Sequence, residues 1–155
     1  MALGDGIVRP PGNTEIIKPR SAGAVVFRRD ENGVRLLVLR AFGHRDFPKG
    51  LIDDDESEFA AARREVREET GLADIRFPFG EDFLETLPYA GGKIARYYLA
   101  ETAAVKITLP GSAELGRPEH DEWRWVSLDE AEELLPPRLE EVLNWARELL
   151  TRSAS

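Results

Sequence analysis

Three carboxylates define the chemistry this sequence can attempt. Glu65, Glu68 and Glu69 lie in the stretch GLIDDDESEFAAARREVREETGL, from Gly50 to Leu72. On a helix of about 3.6 residues per turn they project into one arc roughly 100° wide. Phe59, Ala62, Val66 and Thr70 form the neighbouring stripe, which would face a core. Two of the acids stand in the last turn, where the backbone dipole is negative and Lys or Arg would be preferred. Glu65 also makes like-charge pairs with Glu68 at i,i+3 and with Glu69 at i,i+4, each unfavourable by a few tenths of a kcal/mol, roughly 0.2–0.5. A helix built only for stability would avoid this arrangement. A bound divalent cation reverses its sign, so the stretch reads as a metal site.

The elements that must position these acids follow from local signals. Ser57 suits an N-cap, Glu58 the first turn and Gly71 the position after the helix, which predicts a helix from about Glu58 to Thr70. Ahead of it, Ser21 to Arg29 and Val34 to Ala41 are β-rich runs joined by Asp30-Glu31-Asn32-Gly33, a hairpin signal. Phe42 to Asp55 reads as a loop containing Pro48 and Gly50. After the helix, strands are expected at Ile75–Phe79, Phe83–Leu87, Lys93–Glu101, Val105–Leu109 and Trp123–Val126, with a Gly- and Pro-bearing loop from Thr108 to Pro118. Ser127 and Glu130 have capping-box spacing and open a short helix to about Leu135. Pro136-Pro137 stops it, and a last helix is expected from Arg138 to Thr151, with Leu139, Val142, Leu143, Ala146 and Leu150 at packing spacing. The α/β class follows, a mixed sheet packed between helices.

At 155 residues the chain suits one domain, placed at 21–151, behind a Gly- and Pro-bearing N-terminal arm, 1–20, that reads as flexible. The formal net charge of −8 argues against non-specific binding to a polyanion but permits a phosphorylated substrate where metal ions and local Lys or Arg reverse the field. No cysteine is present, which excludes disulfides and thiolate metal sites. The N-terminus lacks the basic-then-apolar pattern of a signal peptide, and no apolar run approaches the roughly 20 residues that span a bilayer. A soluble, cytoplasmic protein without a membrane partner is expected.

The central stretch resembles the signature of the Nudix hydrolases, G-x5-E-x7-R-E-U-x-E-E-x-G-U with U aliphatic. Gly50, Glu56, Arg64, Glu65, Val66, Glu68, Glu69, Gly71 and Leu72 fill every specified position. Fixed spacing over so many positions makes the match specific. The resemblance implies the Nudix fold, an α/β/α sandwich. It also implies Mg²⁺ or Mn²⁺ as cofactor and cleavage of a nucleoside diphosphate linked to another group at a phosphoanhydride bond. It assigns Glu65, Glu68 and Glu69 as metal ligands, with the backbone carbonyl of Lys49 as a further one. Arg64 joins them in the catalytic set, paired with Glu56. One of the helix acids, or an acid on a later loop, would be the general base. Asp53-Asp54-Asp55 stands where related sequences often carry Glu-Pro-Gly. These consecutive acids do not fit an EF-hand, so a solvated loop is expected, with outer-shell metal contact as the alternative.

Flanking segments suggest a substrate. Phe47-Pro48-Lys49-Gly50, with His44 ahead of it, resembles the Pro-Lys-Gly opening of the diadenosine tetraphosphate hydrolases. Lys93 to Ala100 and Glu119 to Trp125 resemble two further segments of theirs. A chain of four phosphates carries several negative charges, for which Lys49, Lys93, Arg40 and His44 are the candidate cations. Adenine needs a flat partner among Tyr89, Tyr97 and Tyr98. Since alternate strand residues face opposite sides, only one of Tyr97 and Tyr98 is expected to face the site. Glu119, or else Glu122, would complete the metal site. Trp123 and Trp125 share a face and are expected to pack.

The expected reaction is metal-dependent asymmetric hydrolysis of diadenosine tetraphosphate, or a related dinucleoside polyphosphate, to ATP and AMP. The alternatives within the class are an RNA 5′-pyrophosphohydrolase, a nucleoside-triphosphate or ADP-sugar pyrophosphatase, and a diphosphoinositol polyphosphate phosphatase. A non-catalytic nucleotide-sensing module is the alternative from another class. The expected partner is a small nucleotide or an RNA 5′ end, not DNA, bound by a monomer or homodimer.

Overall fold

The computed structural model describes residues 21–109, 111–112, 117–118 and 120–153. The expected arm, 1–20, and Glu119 lie outside them. Among the described residues, nine strands and three α-helices follow in the order β1 (Ser21–Asp30), β2 (Gly33–Ala41), β3 (His44–Asp46), β4 (Lys49–Leu51), α1 (Glu58–Thr70), β5 (Phe83–Glu85), β6 (Ala95–Glu101), β7 (Gly111–Ser112), β8 (Arg117–Pro118), β9 (Glu122–Val126), α2 (Leu128–Leu134) and α3 (Glu140–Ser153), with a 3₁₀ turn, Pro137–Leu139, before α3.

The hairpin forms as its turn predicts. β1 and β2 pair antiparallel from Phe27↔Leu36 out to Asp30↔Gly33, and Gly33 supplies the positive φ of 118° that the turn needs. β1 pairs in parallel with β6, Ser21↔Ala95 through Phe27↔Glu101, which makes the sheet mixed. The path β3-β2-β1-β6-β5 is completed by β9 on β2 and β4 on β1.

Both faces of the sheet are covered. Val25, Phe27, Leu36, Val38, Tyr97 and Leu99 pack with Ala131, Val142, Leu143, Ala146 and Leu150 of α2 and α3. The alternate residues Ala24, Val26, Leu37, Leu39 and Ala100 pack with Val66 of α1 and Leu72, while Ala61 and Ala62 of α1 meet Ala22 and Tyr98. This alternation along β1 and β6 is the two-residue period of a strand buried on both faces. The α/β/α sandwich follows.

The long loop expected over Phe42 to Asp55 instead contains β3 and β4. Of the strands expected at Ile75–Phe79 and Val105–Leu109, the first is reduced to an isolated bridge, Arg76↔Glu101, and the second forms no ladder among the described residues. That segment instead caps an indole, with Trp125 Nε1 donating to the Val105 carbonyl at 2.7 Å. Trp123 and Trp125 pack against the core on the α1 side, as expected.

Candidate active site

The helix α1 is held at both ends by the residues its sequence predicts. Ser57 Oγ accepts from the Ala60 amide at 3.1 Å, and Gly71 closes the last turn at φ 74°, its amide donating to the Arg67 carbonyl. Ala61, Ala62, Val66 and Thr70 are its buried residues, with Phe59 partly buried against Phe77 and Tyr98. The stripe fixes the roll of the helix, and that roll turns Glu65, Glu68 and Glu69 into a cleft of about 760 Å³.

Arg64 organises the acids. Its Nε and Nη2 donate to both oxygens of Glu56 at 2.6 and 2.8 Å, a bidentate pair. Nη2 also donates to the Leu51 carbonyl at 2.9 Å. Nη1 points the other way and donates to Glu65 Oε2 at 2.8 Å and Glu68 Oε1 at 3.0 Å. Hydrogen bonding from Arg64 lowers the Glu56 carboxyl to about 2, against a smaller opposing effect of burial. Arg64 itself is raised, chiefly by Glu56. Glu56 also fixes the aspartate loop, since its carboxylate accepts from the Asp53 amide at 3.1 Å and its own amide donates to the Asp53 carbonyl. Asp53, Asp54 and Asp55 are exposed around that turn, the solvated loop expected.

Two glycines allow the loop to approach the helix. A Cβ at Gly50 would overlap the Glu65 carboxylate, and one at Gly23 would overlap the Pro48 carbonyl and Lys49. Glu65 therefore lies in a cradle formed by the bare backbone of β4. Glu69 faces the same strand, accepting from the Lys49 amide at 3.0 Å, with His120 Nε2 3.9 Å away.

Among the described residues, no three carboxylate or imidazole side chains converge into a ready metal cage. Glu65 and Glu68 are nonetheless gathered on one cation, the Arg64 guanidinium, and Glu65 lies in the Gly50 cradle. These all-oxygen donors with an incomplete protein shell suit Mg²⁺, which takes one or two carboxylates, keeps waters and borrows phosphate oxygens. The residues fit such an ion.

Cationic and aromatic groups line the same cleft: Lys49, Lys93, Arg138 and Tyr89. Tyr89 and Lys93 flank a tight turn, each amide donating to the other's carbonyl at 2.9 and 2.7 Å. Ala90, Gly91 and Gly92 all take positive φ within that turn. The Arg138 guanidinium stacks 4.6 Å from the Tyr89 ring centroid.

Several candidates from the sequence are not brought to this cleft. Tyr97 and Tyr98 do point to opposite faces, but helices cover both. Tyr97 is fully buried and donates its hydroxyl to Asp46 Oδ1 at 2.8 Å. Burial, reinforced by the Asp46 charge, pushes its phenol well up, so it remains a donor. Tyr98 is buried among Phe59 and Phe83. Arg40 donates to Asp121 Oδ1 at 2.9 Å, and Glu122 accepts from Arg45 Nη2 at 3.2 Å; both serve the β2–β3–β9 edge. His44 is exposed on β3 opposite Ala41.

Arg138 and Asp46 carried no signal in the sequence, because each acquires its role only through partners distant in the chain. Tyr89 was one of three interchangeable tyrosines until the turn singled it out.

Comparison with known proteins is consistent with this geometry. The family model of the NUDIX domain matches residues 17–146. The asymmetrical bis(5′-nucleosyl)-tetraphosphatase of Caenorhabditis elegans is 35% identical over 118 residues, covering 72% of this chain and 81% of that protein. The RNA pyrophosphohydrolase of Bartonella henselae is 29% identical over 134 residues, covering 71% and 76%. Among solved structures, a binary complex of the C. elegans Ap4A hydrolase superimposes with a TM-score of 0.72 at 28% identity, covering 84% of this chain and 98% of the other.

Proposed function

The chain belongs to the Nudix hydrolase family, and from that premise we propose that it cleaves dinucleoside polyphosphates asymmetrically, diadenosine tetraphosphate to ATP and AMP, with Mg²⁺ or Mn²⁺. The observation that carries this reading is that one cleft gathers both kinds of group. The carboxylates of α1 line it together with Lys49, Lys93 and the Tyr89 ring. A polyphosphate with a base attached needs both kinds.

In this reading Glu65, Glu68 and Glu69 would hold a divalent cation, which would supply charge compensation on the phosphates and lower the pKa of bound water. Lys49 and Lys93 bind phosphate oxygens, and Tyr89 offers a face to adenine. Arg64 keeps Glu65 and Glu68 aimed at the same point while Glu56 anchors it. Gly50 leaves room for the Glu65 carboxylate. Little covalent work remains for the protein in phosphoryl chemistry beyond such positioning. The relatives named as asymmetrical tetraphosphatases support this substrate at 35% and 32% identity.

Hydrolysis at an RNA 5′ end is the second reading, favoured by the RNA pyrophosphohydrolase relatives. A panel of phosphoanhydrides with Mg²⁺, products resolved by chromatography, separates the two. Diadenosine tetraphosphate is expected to show the highest kcat/KM, with ATP and AMP as products. Faster turnover of triphosphorylated RNA or an ADP-sugar would overturn this substrate choice and leave the reaction class intact.

A further inference from the structure

One group on the cleft wall is held in an unusual way. Arg138 follows Pro136-Pro137, in the 3₁₀ turn that leads into α3, and its side chain reaches across to Asp46 at the end of β3. Nη2 donates to Asp46 Oδ2 at 2.6 Å. Nη1 is buried with no hydrogen-bond acceptor among the described residues, and the guanidinium lies over the Tyr89 ring. That side of the group has the Tyr89 ring face, a weak partner, and the nearby Tyr97 hydroxyl. Asp46 is therefore the anchor that keeps the guanidinium over the Tyr89 ring.

Asp46 is itself fully engaged. Its Oδ1 accepts from the Tyr97 hydroxyl at 2.8 Å and from the Phe47 amide at 2.6 Å, and its Oδ2 is 3.6 Å from Lys49 Nζ. A carboxylate fixed by four groups does not follow Arg138 into the cleft; it holds Arg138 back. Tyr89 lines the cleft and also packs against the core, so a planar ligand in the cleft would meet the cleft-side face of a ring held by the guanidinium and the core. A fixed ring presents that face with less conformational entropy to lose on binding.

We infer that the Asp46–Arg138 pair is a positioning device for base recognition: by clamping Tyr89 it sets the affinity of the cleft for the nucleoside part of its substrate and leaves the hydrolytic step alone. This rests on reading the cleft as a nucleotide site. Arg138 acts through Tyr89, and Asp46 through Arg138. Lysine at 138 would keep the ion pair but lose the flat surface.

The test measures equilibrium binding of AMP and of inorganic tripolyphosphate, by calorimetry with Mg²⁺, to the wild-type protein and to Arg138→Gln, Arg138→Lys and Asp46→Asn. It adds KM and kcat for the best substrate of the panel above. AMP affinity is expected to fall about tenfold in all three variants, with tripolyphosphate affinity unchanged in the two Arg138 variants. KM should rise about as much, while kcat moves less than twofold. The double variant Asp46→Asn/Arg138→Gln should be no weaker than either single one, because the two residues act in series.

Parallel loss of AMP and tripolyphosphate binding in the Arg138 variants would overturn the inference, as would a fall in kcat at constant KM, additive losses of AMP affinity in the double variant, or a wild-type protein that does not bind AMP. Thermal melts separate a folding defect from the binding effect, and Arg138→Lys carries the test if Asp46→Asn fails to fold. If AMP binds as expected but no phosphoanhydride is turned over, the proposed reaction falls and the clamp stands.

Discussion

At the scale of single residues, the site depends on one arginine more than on any one acid. Arg64 gives each carboxylate it touches a fixed oxygen to point at, and the cost of its absence would be repulsion among Glu56, Glu65 and Glu68. Glu69 is tied to the Lys49 amide. Its replacement by Gln keeps an acceptor for that amide while removing the charge. Glu69→Gln is thus expected to lower kcat by about 10² or more if the carboxylate holds the catalytic metal, with the melting temperature nearly unchanged. Near-normal kcat in that variant would move the metal to other ligands. Glu56 makes a separate prediction for stability. Its folded value of about 2 lies below the ordinary 4.5, so the unfolded chain takes up its proton first as pH falls. The stabilisation is complete above about pH 4.5 and disappears as pH drops toward 2. Melts of the metal-free protein and of Glu56→Gln should therefore differ most near neutrality and converge by pH 2; a gap that stays constant over that range would place the source of stability elsewhere.

At the scale of elements, what was legible in the sequence was what is local. Caps, a 3.6-residue stripe and a terminal glycine fix α1 within a few residues, and its limits agree with the structure at both ends. The Asn32-Gly33 turn likewise defines its hairpin. Strands that depend on a distant partner were misread: Val105 to Leu109 has the composition of a strand but meets an indole rather than an open sheet edge. β3 and β4 were hidden inside an apparent loop, because their pairing is to β2 and β1. The tyrosines of β6 illustrate the same limit, since alternation predicts opposite faces but not that helices cover both. Asp46 was illegible for a sharper reason, with partners 51 and 92 positions away. The junction of β4 with α1 is the element on which the site turns. Gly50→Ala would push a methyl group into the Glu65 carboxylate, so kcat/KM is expected to fall by about 10² while the fold survives, a 1 Å displacement being enough for that loss. Activity measured beside a circular dichroism melt checks this, and an active Gly50→Ala protein would mean that Glu65 has freedom to move that the packed cradle denies it.

At the scale of the whole molecule, a chain of net charge −8 that takes the proposed polyphosphate must gather basic groups locally, and one cleft is lined by both the helix acids and lysines. Lys49 and Lys93 line it beside the helix acids, so a phosphorylated ligand would meet locally what the net charge would repel. In the metal-free protein the repulsion among the acids is only partly relieved by Arg64, since Glu68 is more than half exposed and its pair is solvent-screened. A divalent cation that binds the folded state alone must then stabilise the entire fold by mass action. At a hundred times its dissociation constant it contributes about 2.7 kcal/mol, which for a chain of this size raises the melting temperature by about 5–10 °C. Calorimetry with Mg²⁺ against EDTA should show that rise in the wild-type protein and lose most of it in Glu65→Gln/Glu68→Gln. The same double variant removes the repulsion that Arg64 only partly offsets, so its metal-free melting temperature should not fall below that of the wild type. An equal Mg²⁺ shift in both proteins would put the ion outside the helix acids. A lower metal-free melting temperature would mean that Arg64 alone already makes the acid cluster a net stabilising feature.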